Sequence, residues 1–277
     1  MPMYFILSGY IAHERKEGRI FFIKRKAYEL LLPSVIFIGL MVPYSCGMNL
    51  IEAIKEITFW DGMIWNAPIW FLIVLFQVHF IFDAANLIKY STQKKTVLAV
   101  LFLGLGYLIY KNLVWLPFGF QKTVIALGFY IIGNVLKEVN GMLRLKTKVV
   151  IVVVCCIIWF LTGCIFNTKV SMYAVSMGNY WYFIVSGICG SVMWFSIAYA
   201  LRNVKVFRRW GQNTIFVVCT HYIGVAVCVK IANLLNLDGT IYFDILALII
   251  SFLAMVIYMP VCDWINKNMP ILVGKKR

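Results

Sequence analysis

The chain has 277 residues, 62% of them hydrophobic and 13% charged, with 26 Lys and Arg against 11 Asp and Glu for a formal net charge of +15. A soluble globular domain carries about 25% charged residues, so a mean hydropathy of +0.86, gathered in long apolar runs, excludes a soluble core and reads as a polytopic membrane protein. In that setting the basic excess reports topology rather than nucleic acid, because Lys and Arg collect on the cytoplasmic side of a membrane protein.

The first element is the apolar run from Met1 to Ala12. As a helix it reaches about 18 Å against about 30 Å of hydrocarbon, so it is half a membrane element that needs neighbours or further sequence. No basic region precedes it and no small-residue cleavage site follows, so it is not a signal peptide. Within it, Ser8-Gly9 reads as a small-residue pair for close helix packing. A nucleophile reading lacks the G-x-S-x-G frame.

A connection over 13–29 follows, with Arg15, Lys16, Arg19, Lys24, Arg25 and Lys26. Two readings of Lys24-Arg25-Lys26 stay open. One is a topology determinant that touches anionic lipid. The other is a phosphate clamp for a nucleotide-like ligand such as coenzyme A, which ammonium and guanidinium groups suit.

Apolar spans are predicted at 30–46, 66–88, 96–110, 121–136, 148–166, 180–201, 213–235 and 241–262. The fold class is therefore all-α, a membrane bundle of eight full spans plus the N-terminal partial span, in one domain over 1–277. The spans at 96–110 and 121–136 are short and closely linked, which suggests one helical hairpin. Trp60, Trp65, Trp70, Trp115 and Trp181 fall near span ends, where an aromatic belt would sit. The eight cysteines lie mostly within apolar runs without a metal-ligand spacing and read as apolar fillers; no metal is expected.

Three ionisable residues fall inside spans, where such groups are rare and often functional. His79 and Asp83 are four apart on one helical face, and His221 lies about 12 Å into its span at helical rise. A neutral imidazole can take a proton from a hydroxyl, and a carboxylate at i+4 can orient it. The other reading is interhelical hydrogen bonding without chemistry.

Counted by connection, 21 of the 26 Lys and Arg fall in one alternate set of loops and 5 in the other. The alternation supports the span count and puts the basic loops and Arg277 in the cytoplasm.

Four motifs then resemble one family. They are MPMYFILSGY at the start, FFIKRKAYELLLP over Phe21 to Pro33, Ile69-Trp70-Phe71-Leu72, and Gly211-Gln-Asn-Thr-Ile-Phe running on to His221. In this order and spacing they are similar to the integral-membrane acyltransferase-3 family, bacterial enzymes that acylate sugars and other hydroxyl compounds. The resemblance implies a ten-helix bundle in the bacterial plasma membrane. It would use acyl-CoA, commonly acetyl-CoA, as co-substrate, with a surface carbohydrate as acceptor.

The residues' own chemistry and the resemblance together give the candidate roles. Lys24, Arg25 and Lys26 would hold the donor, while His221, His79 and Asp83 are the candidate catalytic groups. Tyr4, Ser8, Gly9, Trp70 and Asn213 would line the substrate pocket. The family's own first helix, with an Arg and a His regarded as its base, would lie before Met1. A longer natural protein and a truncated relic are the two expectations that follow. Glu29 stands where the family often has a second basic residue, which weakens the clamp. Two rival classes remain: a transporter or flippase of a glycan or lipid-linked substrate, and a non-catalytic membrane domain. The oligomeric state is not legible.

Overall fold

The computed structural model describes residues 1–41, 67–142, 145–212, 214–234 and 241–275. Among them the chain is helical, without a strand beyond one isolated bridge between Ser171 and Ser176. The elements are α1 (Pro2–Ile11), α2 (Arg19–Lys26), a π-helical turn (Ala27–Leu31) and α3 (Leu32–Met41). Then come α4 (Trp70–Ala84), α5 (Thr92–Lys111), α6 (Phe120–Met142), α7 (Leu145–Trp159) with its π extension (Phe160–Ile165), and α8 (Tyr180–Ala200). The last are α9 (Lys205–Gln212), α10 (Thr214–Leu234) and α11 (Ile241–Asn268).

Among the described residues, four helical segments are long and apolar enough to cross a membrane: Thr92–Lys111, Pro117–Met142, Leu145–Ile165 and Tyr180–Ala200. Pro2–Ile11 and Trp70–Ala84 are apolar but shorter. The predicted spans at 213–235 and 241–262 coincide with α10 and α11. The span at 30–46 is helical to Met41, and its remainder, with the connection at 47–65, lies outside the described residues.

Three boundaries are corrected. The connection at 13–29 is helical from Arg19, so Lys24, Arg25 and Lys26 occupy the last turn of α2 rather than a loop. Lys and Arg are good helix formers, and the backbone stays right-handed helical through Ala27 and Leu32, so α2 runs on without a break through the π turn into α3. The spans at 96–110 and 121–136 are not short. α5 has 20 residues and α6 has 23, because each adds a polar turn that a hydropathy reading trims. Residues 205–212 of the predicted loop 202–210 region form α9.

α6 is the axis of the fold. Every residue from Gln121 to Ile131 is buried, and α1, α4 and α5 all pack on it. α5 and α6 pair along their lengths as the expected hairpin. The crossing of α1 and α6 depends on two glycines. A β-carbon on Gly9 would overlap the Tyr130 carbonyl, and one on Gly133 would overlap the Ile6 carbonyl. Lipid tails are as apolar as Leu, so close backbone approach of this kind is a main source of helix association in a bilayer. This is the packing role expected of Gly9. α7 and its extension are the opposite case, with none of the apolar window buried. The exposed Val149, Val150, Val153 and Ile157 give a face suited to lipid.

The contacts also fix direction. Asn134 Nδ2 donates to the Gly9 carbonyl at 3.3 Å, Lys137 Nζ to that of Ala12 at 2.6 Å, and Asn140 Nδ2 to the Tyr10 hydroxyl at 2.7 Å. α1 and α6 therefore run parallel. Lys95 of α5 meets Glu138 of α6 at 2.5 Å, so those two run antiparallel. α8 parallels α1, with Gly187 beside Pro2 and the Phe195 ring tilted against that of Tyr10 at 6.3 Å between centroids. The segments after α1, α4, α6 and α8 thus meet at one end of the bundle. Gly274, with φ +68°, brings the C-terminal turn there as well, against the backbone of Glu29. These are the lysine-rich connections of the sequence.

Candidate active site

The basic end carries the densest group of charges. α2 presents Arg19, Lys24, Arg25 and Lys26, and the π turn after it supplies Glu29. A π turn adds a residue to the helical repeat and is frequent at functional sites. Here it places the Glu29 carboxylate 2.7 Å from Lys26 Nζ and 3.7 Å from Arg25 Nε. Arg25 also reaches Glu17 at 2.8 Å. Lys24 is exposed and has no ion-pair partner among the described residues. The expected weakening by Glu29 thus has a physical form, since its carboxylate competes for two of the three cations.

α4 runs antiparallel to this segment and packs against the π turn. His79 lies on its inner part, half-buried, its ring 5.3 Å from that of Tyr130 in an edge-on arrangement. The charges within electrostatic reach of the imidazole are Lys26 and Glu29. Its Nδ1 is 2.7 Å from the Leu75 carbonyl, one turn back. A carbonyl only accepts, so Nδ1 carries the proton and Nε2 presents a lone pair. Nε2 has no hydrogen-bond partner among the described residues.

Asp83 does not orient this ring. It pairs instead with Arg15, and with Arg19 at 3.4 Å. Two guanidinium groups from the preceding connection capture the short carboxylate, and the backbone supplies the imidazole's acceptor. The i, i+4 spacing is right, but the hydrogen bond it suggested is not made.

His221 repeats the same device on α10, with Nδ1 2.9 Å from the Val217 carbonyl. Its neighbour Thr220 is buried and accepts from the Tyr258 hydroxyl at 3.2 Å through its carbonyl. No hydrogen bond or ring contact joins His221 to the His79 group among the described residues.

The expected pocket residues scatter. Tyr4 packs on Phe71 at 5.5 Å between ring centroids. Gly9 is consumed by the crossing with Tyr130, and Ser8 beside it is half-buried. Trp70 is 2% exposed, which corrects its placement in an aromatic belt. It is wedged against Phe5 and Phe71, with Lys122 Nζ 5.2 Å from its ring. Trp115 and Trp181, by contrast, are about half exposed near span ends as expected. Asn213 lies outside the described residues.

A second polar group, missed in the sequence, sits at the other end of α6. Gln121, Lys122 and Thr123 are all buried. Thr123 donates to Gln77 Oε1, and Gln77 Nε2 donates to the Phe118 carbonyl at 3.0 Å. The signal was a Gln-Lys-Thr triplet opening an apolar span, read only as the span's edge. Arg15, Arg19 and Tyr130 were missed too, since their contacts with α4 are long-range.

Against known proteins, a family model described as "Acyltransferase domain" matches residues 1–262. No curated protein matches the chain, and no solved structure does.

Proposed function

The chain belongs to the acyltransferase-3 family, and from that membership we propose a membrane-bound O-acyltransferase that moves an acetyl group from acetyl-CoA to a hydroxyl of a cell-surface carbohydrate. The proposed setting is a bacterial plasma membrane with eight full spans and the partial span α1. The basic end and the C-terminus face the cytoplasm.

The observation that carries this reading is His79. It is an imidazole with Nε2 unoccupied, and its tautomer is set by Leu75. It stands on the helix that packs beside the basic helix α2 and the π turn. In the proposed reaction, Nε2 takes the proton of the acceptor hydroxyl as its oxygen attacks the thioester carbonyl carbon. The tetrahedral intermediate collapses, the carbon–sulfur bond breaks, and the coenzyme A thiolate recovers the proton from the imidazolium. A positioned base of this kind contributes about 10²- to 10⁴-fold in rate.

Donor binding falls to α2. Coenzyme A carries several phosphate charges, and Lys24 and Arg25 are the cations best placed to meet them. Lys24 is exposed, and Arg25 keeps 42% of its side chain accessible. Lys26, held by Glu29, supplies positive potential at the base rather than a free contact. Liposomes containing the purified chain, given radiolabelled acetyl-CoA and an oligosaccharide acceptor, test the proposal. Label should pass to the carbohydrate in a protein-dependent manner; acetyl-CoA that neither binds nor is consumed would overturn it.

A further inference from the structure

We propose that the cavity walled by Tyr110, Leu113, Trp115, Gln121 and Val175, at the end of the bundle opposite Lys24–Lys26, binds the edge of a neutral sugar ring. As a subsite for the acceptor it rests on the acyltransferase reading above; as a binding site it does not.

The size limits the occupant. The cavity has a volume of about 40 Å³. One water needs at least about 10–15 Å³ measured this way. There is room for a few atoms of a ligand, such as a hydroxymethyl group or one edge of a ring, with the remainder outside.

The chemistry limits it further. Gln121 is 1% exposed. Its Oε1 accepts from the Leu116 N–H at 3.1 Å, which fixes the amide's orientation. That leaves Nε2, which is buried and has no hydrogen-bond partner among the described residues. Buried amide donors are nearly always paired, so an orphan one asks for an acceptor. Among the described residues the lining contains no Asp, Glu, Lys or Arg. A phosphate, carboxylate or ammonium would enter without a counter-charge, at high desolvation cost. A neutral hydroxyl meets the donor without that cost. Tyr110 and Trp115 add aromatic surface for the apolar face of a ring.

The walls are held firmly. Leu113 and Val175 have φ of +50° and +53°, uncommon for non-glycine residues and especially for a β-branched one. Such conformations persist only where surroundings enforce them, and they gather at ligand clamps. Tyr110 braces the far wall through its hydroxyl, which donates to the Gly178 carbonyl at 3.2 Å.

The test uses the whole chain in phosphatidylcholine nanodiscs. The probes are methyl β-D-glucopyranoside, methyl β-D-galactopyranoside and methyl N-acetyl-β-D-glucosaminide, with glucose 6-phosphate as the charged control, followed by saturation-transfer NMR. Gln121→Glu keeps the acceptor for Leu116 and removes the donor. Trp115→Ala trims a half-exposed rim residue and is the variant less able to disturb folding. At least one glycoside should bind the unaltered chain and weaken about three- to tenfold in each variant, the scale of one neutral contact. Glucose 6-phosphate should not bind. No glycoside binding, or equal binding in both variants, would overturn the inference. Acetyl-CoA turnover is followed separately. Glycoside binding without acyl transfer would sink the proposed function alone, and transfer indifferent to both substitutions would sink this subsite alone.

Discussion

His79 donates through Nδ1 to the Leu75 carbonyl at 2.7 Å, and that one bond decides which ring nitrogen is left to act as a base. The acceptor lies one turn back on the same helix, so the tautomer is fixed without help from any carboxylate. Asp83, one turn onward, is engaged by Arg15 and Arg19 instead.

The role of Asp83 is therefore to tie the connection after α1 onto α4. Asp83→Asn should expose residues 12–18 to trypsin, which cleaves at Arg15 and Lys16, while leaving the pH profile of acyl transfer unchanged. A shifted profile with unaltered proteolysis would mean that Asp83 acts on His79 after all.

The α1–α6 crossing depends on the absence of two side chains. Gly9→Ala and Gly133→Ala would each set a β-carbon on a backbone carbonyl, which cannot swing aside. Overpacking of this kind costs about 1–3 kcal/mol and sometimes more. Both variants should lower the unfolding temperature in detergent. Gly104→Ala is the control: its β-carbon would meet nothing within 4 Å, and alanine favours the helix by about 1 kcal/mol.

Lys95 is 1% exposed, with its ammonium on Glu138 at 2.5 Å. Glu138→Ala leaves that charge buried and unpaired, a loss of about 3–5 kcal/mol for a fully buried pair. Because Glu138 is 32% exposed, the lower end of that range is expected. Joining Lys95→Met with Glu138→Leu should restore most of the stability, measured by the same thermal unfolding. A double variant no more stable than Glu138→Ala would contradict the pairing.

Glu29 holds Lys26 and competes for Arg25. Glu29→Gln should tighten coenzyme A binding by about two- to fivefold at low salt, the scale of one partly exposed ion pair. Arg25→Ala should weaken it, and both effects should shrink as salt screens the charges. Calorimetric titration reads all three. Affinities indifferent to charge and salt would place the donor elsewhere.

Most of the helix order was legible, because apolar runs and alternating basic loops report the environment of each segment directly. What hydropathy does not report is which side of a helix meets protein and which meets lipid, since both surroundings are apolar. Trp70 looked like a belt residue and is wedged against Phe5 and Phe71. α7 looked like any other span and is the most lipid-exposed of the four. Local spacing fared similarly at the site. It put His79 and Asp83 on one face, but their partners were settled by a backbone carbonyl and by guanidinium groups more than sixty residues away. Gln121 was hidden for the opposite reason: a buried amide at a span's edge looks like an ordinary polar boundary until the wall around it is seen.

The most direct measurement of the central claim compares the unaltered chain with His79→Gln in liposomes, following acetyl transfer from acetyl-CoA to a carbohydrate hydroxyl. The account predicts that kcat falls about 10²- to 10⁴-fold, while the KM for acetyl-CoA and the unfolding temperature stay as they were. A His79→Gln protein that transfers acetyl groups at the rate of the unaltered chain would contradict it.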